Sequence, residues 1–403
     1  MQDESRYAVG IDIGTDNVRA VVGLFEPDKK PTIVGFSETT NSGMRKGTIV
    51  DVNKVANAVD SALATLDKMS GFNITSAAVS IGGSHIQGFA SRGTVTVSGH
   101  EITPNDIERV HSSATDVQIP ANREILDITP SSYDLDGQKG IKDPLGLTGV
   151  RLEVDAYIIT AMIPHLRNID QVLEVNQMVS YAILPSSIAS AQAVLTDKQR
   201  ENGVVLIDLG GTTTDIAVYE DGDLVYTAVL PVGSNNITND LAIGLKTDLD
   251  VAEKVKIEYA VAMSKLRQGS GTIRFKVGNE MVSFPSEIVD EIVEARVEHT
   301  FELVNNELRK IKKYANLPGG IVLTGGGARL KGIASSAKEY MQLAARVGKP
   351  HEYGGLGDKV VGPEWATAIG LMKIDFDGNA QKVKAVSGNK KGLFGGLFKK
   401  KNK

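Results

Sequence analysis

Two short segments 196 residues apart carry the residue types of a divided phosphate site. Val9-Gly10-Ile11-Asp12-Ile13-Gly14-Thr15 runs on to Ala20-Val21, and Leu206-Ile207-Asp208-Leu209-Gly210-Gly211-Thr212 runs on to Ala217-Val218. Each is a β-rich apolar run, a small-residue turn and a second β-rich run, which predicts a hairpin. Small residues in such a turn let successive backbone N–H groups approach phosphate oxygens, and the hydroxyls of Thr15, Thr212 and Thr213 add donors. Asp12 and Asp208, each ending a first strand, would face one another across a cleft. Two carboxylates opposite a polyphosphate suit hydrated Mg²⁺, which keeps its waters and takes few direct protein ligands. A single Asp-Ile-Gly would be an ordinary strand end; the duplication carries the reading. Its period of half the chain implies two related halves around a cleft, since a solenoid repeats every ~20–50 residues.

Asn17 and Arg19 share one strand face, so Arg19 either reaches a phosphate or stays a solvated hairpin charge. Gly325-Gly326-Gly327 follows the strand Gly320–Thr324 and either carries an adenine against bare backbone, with Arg329 stacked over the base, or is a flexible turn. Gly233 is placed in the same nucleotide set. Neither Gly-x-Gly-x-x-Gly nor Gly-Lys-Ser/Thr stands at a strand–helix junction, which removes support for Rossmann and P-loop folds. The six histidines show no close ligand spacing, so no metal other than Mg²⁺ is expected. With no cysteine and no Gly-x-Ser-x-Gly elbow, thiolate chemistry is excluded and hydrolase triads have no foothold. The remaining chemistry is phosphoryl.

The elements that would hold these groups follow from local patterns. Asp51 caps a helix whose apolar face is Val52, Val55, Ala56, Val59, Ala62, Leu63 and Leu66. A strand is expected at 76–82. Over about 84–163 the register changes: strands at 86–98, 123–135 and 151–163 surround a helix opened by the capping box Thr103-Pro104-Asn105-Asp106, the pattern of an inserted α+β module. Helices are expected from Pro164, near 187–195, over 250–266, over 286–313 and over Glu364–Lys373. Residues 374–389 have a linker composition.

The 403 residues are 41% hydrophobic and 23% charged, an ordinary globular composition with room for two to four domains. No basic n-region precedes an apolar core at the start and no apolar run nears the ~20 residues of a spanning helix, so a cytoplasmic protein is expected. Net charge is −5, yet 390–403 holds six lysines and no acid, leaving 38 basic against 49 acidic groups elsewhere. An acidic body argues against broad nucleic-acid binding, and a basic apolar tail points to an anionic surface. On a helix, Leu393, Phe394, Leu397 and Phe398 share one face, flanked by Lys390, Lys391, Lys399 and Lys400, as in a helix lying in a membrane interface. The alternative is a solubilising tail; the paired Leu-Phe dipeptides favour the membrane.

The hairpin pair, the 183–195 connection, Ile321–Ile333 and Glu364-Trp365-Ala366-Thr367-Ala368-Ile369-Gly370 resemble the sequence blocks of the actin/Hsp70/hexokinase ATPase superfamily. Within it the chain resembles the FtsA family of bacterial cell-division actins, which tie the tubulin-like FtsZ ring to the membrane. The specific parts are Ser42-Gly43-Met44-Arg45-Lys46-Gly47, the Gly140–Leu152 stretch with its Lys142-Asp143-Pro144-Leu145-Gly146-Leu147, and the amphipathic tail. The resemblance implies an α/β, RNase H-like duplicated, actin-like ATPase fold, with two lobes around a nucleotide cleft. It places subdomain 1A at 1–83 and 164–202, an inserted 1C at 84–163, 2A at 203–245 and 319–360, and 2B at 246–318. A return helix at 361–373, a linker at 374–389 and a membrane helix at 390–403 complete the chain.

The same resemblance implies ATP and Mg²⁺ as ligands, self-assembly into filaments, the FtsZ C-terminal peptide on 2B, other division proteins on 1C and anionic lipid at the tail. The site of action is then the cytoplasmic face of the plasma membrane at the division site. By position, Asp12 and Asp208 resemble the Mg²⁺-organising pair, and Gly14, Thr15, Gly210, Gly211 and Thr212 the phosphate loops. Glu253 and Lys256 resemble the Ala-Glu-x-x-Lys element touching adenosine, Gly325, Gly326 and Arg329 the adenine contacts, and Gln192 the glutamine that positions the attacking water. Asn17 and Arg19 stand where many members have a lysine. At most a weak ATPase is expected. Two alternatives share the superfold, a soluble small-molecule kinase and a pilus-assembly adaptor.

Overall fold

The computed structural model describes residues 6–26, 29–267, 269 and 271–387; the expected amphipathic segment 390–403 lies outside them. β1 (Arg6–Ile13) and β2 (Asn17–Phe25) pair antiparallel from Arg6↔Phe25 to Ile13↔Val18. β3 (Thr32–Thr40) extends this hairpin, and β4 (Met44–Arg45) with β5 (Thr48–Ile49) makes a small separate one. Asp51 accepts from the Lys54 amide at 3.1 Å and so opens α1 (Val52–Ser70), whose Val55, Val59, Ala62 and Leu66 are buried in the first lobe's core. β6 (Ser76–Ile81) then lies parallel to β1.

The chain leaves the body here. β7 (Gln87–Thr96), α2 (Pro104–Thr115), β8 (Arg123–Leu135), β9 (Gln138–Ile141) and β10 (Arg151–Met162) build a separate sheet in the order β7-β10-β8-β9, with its own core around Val110, Leu152 and Val154. α2 starts at the expected capping box, both Thr103 and Asp106 accepting the other's backbone N–H. The module also touches the second lobe. The Tyr157 hydroxyl accepts from the Thr227 amide at 3.0 Å, and Lys142 Nζ lies 2.6 Å from Asp223. α3 (Ile163–Val175), β11 (Val179–Pro185) and α4 (Ser186–Val194) return to the first lobe.

The second lobe repeats the plan. After α5 (Asp197–Glu201), β12 (Val204–Leu209), β13 (Thr214–Glu220) and β14 (Asp223–Leu230) form an antiparallel meander. α6 (Ser234–Leu245), α7 (Leu249–Tyr259), β15 (Thr272–Val277), β16 (Glu280–Pro285) and α8 (Ser286–Lys310) follow as a subdomain of helices around a hairpin. β17 (Ile321–Thr324), α9 (Ile333–Met341), β18 (Ala345–Val347), β19 (Gly354–Gly355) and α10 (Ala366–Ser387) end the described chain. The two large sheets run β11-β6-β1-β2-β3-β19 and β14-β13-β12-β17-β18. In each, the first hairpin strand has the second as its antiparallel neighbour and a parallel strand, β6 or β17, on its other side. The duplication seen in thirteen residues thus extends to five strands of each sheet.

Two expected elements are corrected. The helix expected over 250–266 ends at Tyr259, because Ala260 turns extended and Ala262 donates its N–H to the Lys331 carbonyl at 2.8 Å; Ser264–Leu266 is a separate short turn. Four buried residues, Ala260 to Met263, pack better as an extended strap than on a helix face. The linker expected at 374–389 is helical as far as Ser387, as part of α10. Asp375 accepts the Val9 amide at 2.9 Å, and Phe376 stacks on Phe25 with centroids 3.9 Å apart, so tertiary contacts carry the helix past Lys373.

The two chain crossings into the inserted module meet at a histidine pair. His85, 8% exposed, and His165 stack with centroids 4.0 Å apart. Arg123 braces the crossing, donating to the carbonyls of His85 at 2.7 Å and Thr160 at 3.0 Å. Burial first, then the neighbouring His165, holds the His85 imidazole down to about 4. In the native protein His85 stays neutral where the unfolded chain, titrating near ~6.5, takes up a proton. Its contribution is therefore complete above that value and lost as pH falls toward 4. The expected loss between pH 7 and 4.5 is on the order of 1–2 kcal/mol, smaller in His85→Phe. Urea unfolding of both proteins at several pH values checks this; identical pH slopes would refute it.

Candidate functional site

Both hairpins expected to hold phosphate close by the same four-residue turn. The Gly14 amide donates to the Asn17 carbonyl at 3.1 Å and the Gly210 amide to that of Thr213 at 2.9 Å. The turns meet across the cleft: Thr212 donates its hydroxyl to Thr15 Oγ1 at 2.9 Å, and Asn235 Nδ2 donates to Asp16 at 3.0 Å. Gly233 lets the start of α6 approach the second turn, where the amides of Ser234 and Asn235 donate to the Gly210 and Gly211 carbonyls at 2.9 and 2.7 Å. A Cβ on Gly233 would lie 2.6 Å from the Gly211 carbonyl. Only glycine permits this approach.

Beneath the turns lie carboxylates. Asp12 accepts from Ser80 Oγ at 2.8 Å, and Asp208, 7% exposed, accepts from Thr367 Oγ1 at 3.2 Å. The matching register positions one turn on, Asp12↔Arg19 and Asp208↔Asp215, put a cation beside the first and a third carboxylate beside the second. Asp215 is 4% exposed and its Oδ1 has no partner. Burial first, and then the neighbouring carboxylate, pushes Asp208 up to about 6 and Asp215 up to about 8; burial also raises Asp12. Asp215 escaped the sequence reading. An acid inside the apolar run Thr214–Val218 was the available signal.

The structure does not bring every expected residue together. Arg19 pairs with Glu38 at 2.5 Å and lies 6.0 Å from the Trp365 ring, while its buried Nε has no partner, so its guanidinium sits beside Asp12 and is only partly engaged. Asn17 lends its carbonyl to the turn. Gln192, expected to position a water, is turned away: its Oε1 accepts from Arg200, whose guanidinium stacks on Tyr219 at 4.8 Å, near the end of β12 opposite Asp208. The Ser190 hydroxyl of the same helix donates to the Ser186 carbonyl at 2.8 Å and offsets part of the rise at Asp208.

Glu253 and Lys256 do meet. Lys256 Nζ lies 2.7 Å from Glu253 and donates to Thr238 Oγ1 at 2.9 Å and the Ser234 carbonyl at 3.4 Å. Gly325 and Gly327 pack against Leu209 and Asp208, where a Cβ would strike the Leu209 carbonyl at 2.7 and 2.9 Å, while Gly326 faces open space. Arg329, well exposed, lies 3.4 Å from Glu364.

Mg²⁺ and a nucleoside polyphosphate fit this set. Two buried carboxylates and a partly buried one share a single nearby cation, already paired, so a divalent ion would relieve their repulsion. Three hydroxyls and two turns of small residues offer donors around it, with glycine-bared backbone and the Lys256–Glu253 pair beyond. Asp12 and Asp208, with Asp215 behind, would organise the metal's waters.

The fold has known counterparts. The PilM-PilN type IV pilus biogenesis complex superposes with a TM-score of 0.64 at 14% identity, covering 91% of this chain and 98% of that one. MreB5 of Spiroplasma citri bound to ADP gives 0.56 at 14%, covering 94% and 98%, and the MamK double helical filament 0.52 at 14%, covering 92% and 98%. Duplicated sheets, facing hairpins and paired aspartates define an actin-like ATPase fold.

Sequence comparison is more specific. The family model described as "Cell division protein FtsA" matches residues 205–370, and that described as "SHS2 domain inserted in FTSA" matches 83–160, the inserted module. FtsA of Pseudomonas aeruginosa is 37% identical over 369 residues, covering 91% of this chain and 88% of that protein. FtsA of Escherichia coli is 32% identical, covering 95% and 94%, and that of Bacillus subtilis 35%, covering 91% and 82%. The chain belongs to the FtsA family of cell division proteins.

Proposed function

We propose that this cell-division protein binds Mg-ATP in its interlobe cleft and assembles into filaments. It tethers the FtsZ ring to the cytoplasmic face of the membrane through Leu393, Phe394, Leu397, Phe398 and the flanking lysines. The FtsZ C-terminal peptide docks on 246–318, and other division proteins on 84–163. The observation that carries the nucleotide reading is the Thr15–Thr212 contact, which closes two small-residue turns over Asp12 and Asp208. MreB5, a neighbour of the same fold, is bound to ADP, and MamK forms a double helical filament. No helix among the described residues is long and apolar enough to cross a membrane.

Four apolar side chains give an affinity comparable to a single lipid chain, so several copies held in one filament are needed for stable attachment. The test is co-sedimentation with anionic vesicles, with and without Mg-ATP, of the full chain and one ending at Ser387. ATP-enhanced pelleting that disappears with the tail is the expected result. If both proteins bind ATP yet stay in the supernatant, the tether reading is wrong and a soluble kinase or adaptor takes its place.

A further inference from the structure

The turn Arg45-Lys46-Gly47 of the β4–β5 hairpin is built into both phosphate hairpins. The Gly47 amide donates to Thr15 Oγ1 at 3.2 Å. Asn41, just upstream, donates Nδ2 to the Gly14 carbonyl and its amide to the Asp16 carbonyl, both at 2.8 Å, and its Oδ1 accepts the Gly43 amide at 3.0 Å. On the other side a Cβ on Gly47 would stand 3.1 Å from Thr213 Cγ2 and 2.7 Å from the Gly83 amide nitrogen. Gly47 is thus wedged between the first turn, the second turn and the start of the inserted module. Lys46 and Gly47 have φ of +48° and +76°. Positive φ at both residues is what a two-residue hairpin turn between Arg45 and Thr48 requires, and it leaves the Lys46 side chain exposed at the tip.

Charge shows what such a turn is suited to supply. The site gathers Asp12, Asp208 and Asp215 with Asp16 at its lip, and a nucleoside triphosphate adds negative charge beyond what one Mg²⁺ offsets. The nearby cations each already carry a carboxylate partner: Arg19 holds Glu38, with its buried Nε unpartnered, and Lys256 holds Glu253. Arg45 and Lys46 take part in none of the ion pairs among the described residues, although their turn touches Thr15 and the Thr213 side chain lies against it. We infer that Lys46, with Arg45 beside it, is the cation that completes the phosphate site and contacts the terminal phosphate of a bound nucleoside triphosphate. A lysine suits this as a compact point charge on a flexible stem. The inference rests on the nucleotide reading above and assigns it a residue outside both hairpins.

The experiment titrates the full chain with Mg²⁺-AMPPNP and, separately, Mg²⁺-ADP, for wild type, Lys46→Gln, Lys46→Arg and Arg45→Gln, with thermal midpoints recorded alongside. Triphosphate affinity is expected to fall about ten-fold in Lys46→Gln while diphosphate affinity changes less than about two-fold, and Lys46→Arg restores most of the loss. Arg45→Gln gives a smaller loss of the same selectivity, and midpoints stay unchanged. Equal losses for both nucleotides, or a loss that tracks a lowered midpoint, make the turn structural and overturn the inference. Unchanged triphosphate affinity in Lys46→Gln overturns it while leaving the nucleotide reading intact. Wild type that binds neither nucleotide overturns both.

Discussion

Asp208→Asn is expected to make the nucleotide-free protein more stable while weakening Mg²⁺-nucleotide binding by roughly 100-fold. The two effects share one cause. Asp208 is buried, with Asp215 opposite it in register, and burial together with repulsion from Asp12 lifts its carboxyl to about 6. At pH 7.5 it must ionise at a cost the unfolded chain does not bear. A shift of about two units corresponds to at most ~3 kcal/mol, of which 1–3 should be recovered by asparagine. Asparagine keeps an acceptor for Thr367 Oγ1 and gains an amide that can donate to the neighbouring carboxylates.

That same charge would order the metal's waters. Scanning calorimetry of both proteins at pH 7.5, with and without Mg-ATP, separates the effects. The variant should start higher and gain little from nucleotide, where wild type should rise with ligand concentration. A nucleotide-free variant less stable than wild type would sink the argument that the site holds uncompensated charge.

Gly370→Ala is expected to destabilise by 3 kcal/mol or more, although alanine is the better helix former by ~1 kcal/mol. Gly370 lies inside α10 where that helix crosses α4, and an added Cβ would fall on the carbonyl carbon and oxygen of Ala189. Backbone cannot yield as a side chain can. On its other side α10 lies against β1, where Gly10 leaves room for the Ala368 carbonyl. α10 also presents Thr367 to Asp208, so a shift of the helix reaches the site. Gly378→Ala, in the same helix at an exposed position with nothing near its Cβ, should instead stabilise by 0.5–1 kcal/mol. Equilibrium urea unfolding of the two variants gives opposite signs if the crossing is as close as the geometry requires. Equal signs would show that it relaxes.

The parts of the site legible in the sequence are those whose geometry is local. A strand, a four-residue turn of small residues and a returning strand form a hairpin wherever they sit, so Asp12, Gly14, Asp208 and Gly210 could be placed from their neighbours alone. The capping boxes of α2 and the inserted module's alternating strands are local in the same sense. Asp215 was not legible, because its place opposite Asp208 depends on a register set by the turn length. The direction of Gln192 was not legible either, because α4 turns it to Arg200 and a helix's rotation is set by what it packs on.

Sequence by itself thus determined the duplication, the two small-residue turns, the inserted module and the family resemblance, all products of short-range pattern. Tertiary structure alone decided that Asp12 of one lobe comes near the buried Asp208 of the other, that α10 runs through the expected linker on the strength of Asp375 and Phe376, and that a hairpin tip carrying Arg45 and Lys46 is wedged between the turns. These are contacts between residues tens to hundreds of positions apart. Their energies come from desolvation and close packing, and neither exists until the chain has folded.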